Sequence, residues 1–405
     1  MARLKKKAKR KIFLVLFLVV LLFGAYYFKD SLIKQDNPIR EKINGFFKPK
    51  NPIQIYEAKL IATGDGLIHS PLYNAARKSD GTYDFTGMLT YTKEKLKNYD
   101  IKYYNQETVF DDSKSYSSYP IFNTPSAFGD AMIDAGFNMV SLATNHSMDA
   151  GATSAEKSAK WWEDKKDVLT SGMASSEEMR NQYDIKEVNG ITYTMLSYTY
   201  GTNGIPVPTS KPWLVNVYNE EMVKKDINAV RDKVDVLIVA MHWGIEYNQG
   251  TTDVQKNQAK FLADNGVDIV LGNHSHCLEP WERIGNTVVF YSFGNFISNQ
   301  MGANDANVRR VGVIGAFGTL DIKKIVNTEE NTTEIRIENV GADLNYTYKY
   351  SNNGKTDYKV IPFSMMEDKY LNYYYQGKSL TAVYDEFSKV LKKYDDSIII
   401  EPLKN

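Results

Sequence analysis

A chain of 405 residues with 43% hydrophobic and 24% charged side chains has room for one large globular domain or two. Its 49 basic and 49 acidic residues cancel, but seven cations fall within the first eleven positions and leave 42 basic against 49 acidic residues beyond them. That net charge of −7 argues against nucleic acid as a partner. The one cysteine, Cys277, excludes an intrachain disulfide, and a body of this size can be stable without one.

Arg3, Lys5, Lys6, Lys7, Lys9, Arg10 and Lys11 form the basic segment, 1–11. "IFLVLFLVVLLFGAYYF" follows from Ile12 to Phe28, without a charge. As a helix it rises about 25 Å, enough for a bilayer core. The cations would stay cytoplasmic, and Tyr26 and Tyr27 stand where an interfacial aromatic belt would. A cleaved signal peptide is the rival reading, but "YYFKDSLIKQ" offers no small-x-small cleavage site. We therefore expect an uncleaved transmembrane anchor at 12–28, single-pass, with the body outside the cell membrane. No cysteine lies near the N-terminus to carry a lipid. Residues 29–55 are polar with three prolines and read as an extracellular stalk.

From Tyr56 short apolar runs alternate with helical stretches. "AKLIATGD", "YDIKYYNQE", "FNMVSLATNH", "VDVLIVAMHWG" and "VDIVLGNHSH" read as strands. "AFGDAMIDAG", "NEEMVKKDINAVRDK" and "DVQKNQAKFLADNG" read as the helices before the last three. The alternation predicts an α/β domain over 56–350, and the nearly continuous apolar fourth and fifth runs predict strands buried on both faces. "NTVVFYSFGNFIS", "VGVIGAFGTLDIKKI" and "TTEIRIENVGADLNYTYKY" add further strands. Residues 351–405, with apolar residues at helical spacing in "LTAVYDEFSKVLKKY", read as a C-terminal helical extension. There is no internal repeat and no glycine-rich phosphate loop.

All five histidines fall at the exit of a predicted strand: His69, His146, His242, and the pair His274 and His276. In open α/β sheets ligands bind beyond the carboxyl ends of strands, where rigid strand ends and converging loops meet. Asp65, Glu107 and Asn145 leave strands at the same edge. Imidazole suits Zn, Fe and Mn; a carboxylate can bridge two ions; an Asn carbonyl adds a neutral oxygen. With no cysteine in the set, a structural zinc site is excluded.

Gly64-Asp65, Asn105-x-Glu107, Asn145-His146, His242-Trp243-Gly244, Gly272-x-His274-x-His276 and "YSFGNF" at 291–296 together resemble the CapA family. These are capsule and poly-γ-glutamate biosynthesis proteins related to the calcineurin-like metallophosphoesterases. The resemblance covers roughly 57–320. It implies a four-layer α-β-β-α sandwich of the metallophosphoesterase type with one or two divalent ions (Mn, Fe or Zn) at one edge. It also implies roles: Asp65 and His276 on the first ion, Asn145, His242 and His274 on the second, Glu107 between them, and His146 acting on the leaving group. Two departures stand out. Asp65 is followed by "GLIH", so His69 is displaced from the Asp-x-His position, and the bridging residue is Glu, a methylene longer than Asp.

Two ions about 3.5–4 Å apart would activate water and neutralise charge at a phosphoester or a γ-glutamyl amide. His146 would protonate the departing atom; its bland alternative is a loop residue fixing strand ends. His69 is a second catalytic candidate, or a loop hydrogen bonder. Trp243 and Tyr247 either stack on a polymer or pack the strand end. Glu246 has the spacing to orient His242. Cys277, amid apolar neighbours, reads as a buried small side chain. Arg309 and Arg310 suit a carboxylate or phosphate ligand, or an ordinary charge pair. Two functions follow: a membrane-tethered metal-dependent hydrolase or transferase acting on an anionic surface polymer or its precursor, or a non-catalytic accessory subunit supporting polymer synthesis or export. Either would work beside membrane subunits of a synthesis and export complex.

Overall fold

A computed structural model describes residues 52–404. The basic segment, the expected anchor at 12–28 and nearly all of the stalk lie outside the described residues. Among the described residues no helix is long and apolar enough to cross a membrane. The chain divides into a small unit, 1–54 with 326–332, and the main body, 55–325 with 333–405. Within the small unit the Thr328 amide donates to the Pro52 carbonyl at 2.9 Å.

The body is a mixed α/β fold. Its first part runs β1 (Ile53–Gly66), α1 (Ser70–Ala76), α2 (Thr90–Lys95), β2 (Ile101–Gln106), α3 (Ala127–Ala135), β3 (Met139–Ser141), α4 (Ala152–Glu163) and β4 (Leu169–Ser171). α5 (Glu177–Arg180), β5 (Lys186–Val188), β6 (Ile191–Thr199), α6 (Glu220–Val230), β7 (Val236–His242), α7 (Asp253–Asp264) and β8 (Ile269–Asn273) follow. Then come β9 (Trp281–Ile284), β10 (Thr287–Phe290), β11 (Asn295–Ile297), α8 (Ala306–Val311), β12 (Ile314–Asn327), β13 (Thr332–Asn352), β14 (Lys355–Pro362), α9 (Leu380–Leu391) and β15 (Ile399–Ile400).

Two sheets form. One has the order β14-β13-β12-β1-β2-β3-β4, with β11 on β1 and β15 on β13; the other is β5-β6-β7-β8-β10-β9. β1 to β4 pair in parallel, as do β6, β7 and β8. Register then aligns the carboxyl ends. Asp65 pairs with Asn105 and Asn105 with Ser141 in one sheet. Thr199 pairs with His242 and His242 with Asn273 in the other.

β7 shows why its sequence is continuously apolar. Val236, Ile238 and Ala240 join the core that also holds Leu60, Tyr103 and Val140 of the first sheet. Leu237, Val239 and Met241 belong to a second core with Val223, Ile227 and Val230 of α6 and Ala259 and Leu262 of α7. Alternate residues of one strand thus serve two cores, so no polar face is left. A Thr252–Gln255 capping box starts α7, and Asn219 caps α6.

The tail differs from the expected helical extension. α9 forms as the spacing predicts, burying Leu380, Val383, Phe387 and Leu391. Before it, however, β14 pairs antiparallel with β13 from Asn345↔Pro362 to Asn352↔Lys355. The alternation in "KTDYKVIP", with Tyr358, Val360 and Ile361 buried, carries the sheet past residue 350.

Asp111 clamps the loop after β2 to α4. Its carboxylate accepts from the Ser113 hydroxyl at 2.6 Å, the Ser154 hydroxyl at 2.7 Å and the Lys157 ammonium at 3.2 Å. Burial pushes its carboxyl up, but the donors outweigh it and hold it down at about 2. The folded state therefore releases the proton more readily than the unfolded chain. The gain is complete above the unfolded carboxylate range and is lost as pH falls toward 2. Asp111→Asn should cost about 2 kcal/mol at pH 7, and about half of that at pH 3. Urea unfolding at both values checks this; a pH-independent deficit contradicts it.

Candidate metal centre

Asp65 lies at the end of β1 and Asn105 at the end of β2, Glu107 follows β2, Asn145 and His146 follow β3, His242 ends β7, and His274 and His276 follow β8. Parallel strands with aligned carboxyl ends bring all of them to one edge, and every one is buried.

Two triads result, Asp65–Glu107–His276 and Glu107–His242–His274, each with its ligand atoms within 4.8 Å of one another. Glu107 belongs to both. Its Oε1 lies 3.5 Å from His276 Nε2 and 3.8 Å from His242 Nε2. Neither Glu107 oxygen has a hydrogen-bond partner, nor does His274 Nδ1. A buried carboxylate without donors is costly unless a cation completes it. These orphaned atoms and the mixed N/O donor set fit divalent ions.

The surrounding residues hold these side chains in place. Asn105 Nδ2 donates to Asp65 Oδ1 at 2.8 Å and lies 3.4 Å from His242 Nδ1, while its Oδ1 accepts from Ser141 at 2.5 Å. His276 Nδ1 is 3.1 Å from Asp65 Oδ2 and 3.0 Å from Asn295 Oδ1, which leaves Nε2 for an ion. Asn145 Oδ1 lies 2.9 Å from His242 Nε2, within reach of the second triad. His274 and His276 adopt φ of +95° and +54°, a left-handed backbone that favours glycine and costs on the order of 1–3 kcal/mol per residue.

Charge follows position. Burial pushes the Glu107 carboxyl well above its ordinary range, with His276 pulling against it. Burial would lower His276, but Glu107 and Asp65 hold it up to about 10. His274 is pushed down to about 3 by burial and by His276 and His146. His242 is driven well down by burial and its neighbouring imidazoles.

His146 lies beside the triads. Its Nδ1 is 2.7 Å from Asp149 Oδ2, and that oxygen also accepts the Phe122 amide at 2.7 Å. Asn203 links to both Asn145 (3.3 Å) and His146 (3.5 Å). His69 joins neither triad. Its Nδ1 is 3.2 Å from the Asn299 amide and 3.2 Å from the Leu67 carbonyl, and Phe122 stands against both its ring and that of His146. Burial pushes it down to about 4.

The remaining candidates divide. Trp243 is buried and donates to the Tyr291 carbonyl at 2.8 Å, which is packing. Tyr247 is half-buried with its ring 5.7 Å from His276, at the edge of the site. Glu246 is exposed, and Asn105 stands at His242 Nδ1 instead. Cys277 is buried. Arg310 pairs with Glu386 of α9 at 2.6 Å, and Arg309 binds the Ala303 and Asn304 carbonyls, so both brace the fold. Four residues join the site without having been singled out from sequence: Asp149, Asn203, Asn295 and Tyr200, whose ring lies 4.6 Å from His274. Asp149 had a signal, three residues after His146 in "NHSMD"; Asn203 lies in a loop with none.

Residues 59–300 match the family model described as bacterial capsule synthesis protein PGA_cap. The PGA biosynthesis protein CapA of Bacillus subtilis is 30% identical over 169 residues, 41% of this chain and 44% of its own length. The capsule biosynthesis protein CapA of Bacillus anthracis is 29% identical over 177 residues, 42% of each chain. The match thus spans less than half the length of these curated relatives. Among solved structures, a phosphatase from Mycoplasma pneumoniae is similar at a TM-score of 0.42 and 16% identity, over 71% of this chain and 95% of that one. Haemophilus influenzae NAD nucleotidase is similar at 0.40 and 14%, over 87% of this chain and 65% of that one. The family match runs through more than half of the chain and contains Asp65, Glu107, Asn145, His242, His274 and His276; the chain belongs to the bacterial capsule synthesis protein (PGA_cap) family.

Proposed function

We propose that this protein acts at the cell membrane in capsule or poly-γ-glutamate biosynthesis, as an anchored extracellular metalloenzyme that cleaves or transfers a phosphoester or γ-glutamyl bond. The observation that carries the metal reading is Glu107, buried between two triads with both oxygens unpaired. The layering of two sheets, with one core shared between them and another between the β6–β8 strands and α6 and α7, supports a four-layer sandwich of the metallophosphoesterase type. The basic segment and apolar run at the N-terminus support single-pass anchoring, and family membership supports work beside membrane subunits of a polymer machine.

Bound divalent ions, Mn, Fe or Zn, would supply Lewis acidity and an activated water. The chain's residues do the rest. Asp65, His276 and Glu107 would hold one ion, and Glu107, His242, His274 and Asn145 the other. Asp149 fixes the His146 ring through Nδ1, leaving Nε2 to deliver a proton to the departing oxygen or nitrogen. His69, held at the Asn299 amide, shapes the loop beside His146.

Elemental analysis of the purified full-length chain beside His274→Ala tests this. About two ions per chain, at least halved in the variant, is the expected result. No metal after incubation with Mn, Zn and Fe would overturn the catalytic reading and favour a non-catalytic accessory subunit.

A further inference from the structure

A cavity of about 660 Å³ opens beside α1, lined by Arg77 and Lys78 from the turn after the helix and by Lys349 and Lys355 from β13 and the start of β14. Its other lining residues are neutral, among them Asn74 and Thr356. Three other cavities of the body each carry at least one carboxylate; this one carries none. In a chain whose residues beyond the basic segment sum to −7, that local sign is not the average of the surface.

The charges are also free to act. Lys78 pairs with Asp84 at 3.1 Å, but Arg77, Lys349 and Lys355 have no carboxylate within ion-pair distance among the described residues. Lys349 is held in position without being neutralised. Its ammonium lies 5.7 Å from the Tyr358 ring and 5.6 Å from the Tyr373 ring, and 3.5 Å from Asn299 Oδ1. Aromatic faces hold a cation while leaving its positive field outward.

Asn299 connects this cavity to the catalytic edge. The Tyr358 hydroxyl donates to Asn299 Oδ1 at 2.7 Å, and the Asn299 amide donates to His69 Nδ1 at 3.2 Å. His69 packs on Phe122, ring centroids 5.4 Å apart, and Phe122 on His146, 4.8 Å apart. A short bonded and packed path therefore runs from the Lys349 ammonium to the imidazole beside the ligand triads.

We propose that the Arg77–Lys349–Lys355 cavity is a docking subsite for a polycarboxylate chain, holding a length of anionic polymer while an adjacent part reaches the metal edge. The proposal rests on the polymer-processing reading above. It answers the electrostatic problem of that reading, since an acidic body repels a polyanion unless a basic groove receives it. Separate cations contributed by three segments suit a flexible chain with one carboxylate per repeat. A compact anion would need converging donors instead.

The test is binding of a γ-linked glutamate oligomer to the full-length chain, by calorimetry at low and high salt. Lys355→Glu and Arg77→Gln are the variants, because both side chains are exposed and without ion-pair partners, so folding is spared. The same samples are analysed for metal. Expected are binding that weakens as salt screens it, and affinity at least tenfold lower in each variant with metal content unchanged. Wild-type affinity in both variants would overturn the subsite, as would tighter binding of polyphosphate than of the glutamate oligomer. Failure of the two readings is separable. Lost metal in His274→Ala with charge variants that bind normally sinks the cavity alone. A chain that takes no metal, yet loses the oligomer in the charge variants, sinks the metal reading alone.

Discussion

Glu107→Gln is expected to reduce the metal content of the chain from about two ions to near zero and to abolish turnover. Glutamine keeps the size of the side chain but offers one neutral oxygen, and its amide nitrogen cannot serve as a ligand. Because Glu107 belongs to both triads, the change would remove a charge from both proposed ion positions at once. His274→Ala, by contrast, leaves the Asp65–Glu107–His276 triad intact. Stability should depend on the bound metal as well. In metal-free wild type, Glu107 is a carboxyl group with no hydrogen-bond partner in a buried site, a costly arrangement whichever protonation state it takes. Melting curves with and without chelator read both effects. Metal at a thousandfold over its dissociation constant adds about 4 kcal/mol to the wild type, so chelation lowers the wild-type midpoint by several degrees and leaves Glu107→Gln unmoved. A variant that retains its metal, or stays sensitive to chelator, contradicts a shared ligand.

The convergence of these residues on one edge was legible in the sequence because they obey a rule of sheet architecture. Parallel strands bury their middles and present their carboxyl ends, so His242 after "VLIVAM" and His274 after "IVLGN" had to meet if β7 and β8 were neighbours in register. The residues that hold these side chains were harder to see. Asn295 reaches His276 from the first residue of β11, and Asn203 reaches His146 from a loop between β6 and α6. Asn295 stands inside the quoted "YSFGNF" run, but nothing in its spacing assigns it to His276, and Asn203 has no signal at all. Arg309 and Arg310 show the opposite difficulty: a pair of cations near a strand reads as a ligand grip, yet Arg310 serves α9 through Glu386, a partner 76 residues away. Ion pairs at such separation leave no local trace. β14 was missed for a simpler reason, since polar residues at its start mask the alternation that follows.

Gly64→Ala should cost about 4 kcal/mol or more, a loss reserved for a few mechanisms. A Cβ at Gly64 would lie 1.7 Å from the Gly294 carbonyl oxygen and 2.8 Å from its carbon, both backbone atoms that no rotamer change can move. The closeness has a use: the Asp65 amide donates to that same Gly294 oxygen at 3.0 Å. The turn at 291–295 is thus pressed onto the end of β1, and Asn295 pairs with Asp65 in the sheet and meets His276. Gly272 makes an equivalent approach, where a Cβ would fall 2.0 Å from the Tyr291 oxygen. The glycines of the Gly64-Asp65 and Gly272-x-His274 motifs are therefore spacers that let two strand ends close on one turn. Gly87→Ala is the control: a Cβ there meets nothing within 4 Å, and the change should fall within about 0.5 kcal/mol of wild type. Urea unfolding of both variants, with metal content measured on the folded fraction, separates two outcomes. If Gly64→Ala folds with normal stability and full metal, the contact between β1 and the 291–295 turn does not position Asp65. If it folds with reduced stability and loses metal while Gly87→Ala keeps it, the ligand set depends on a backbone separation that only glycine permits.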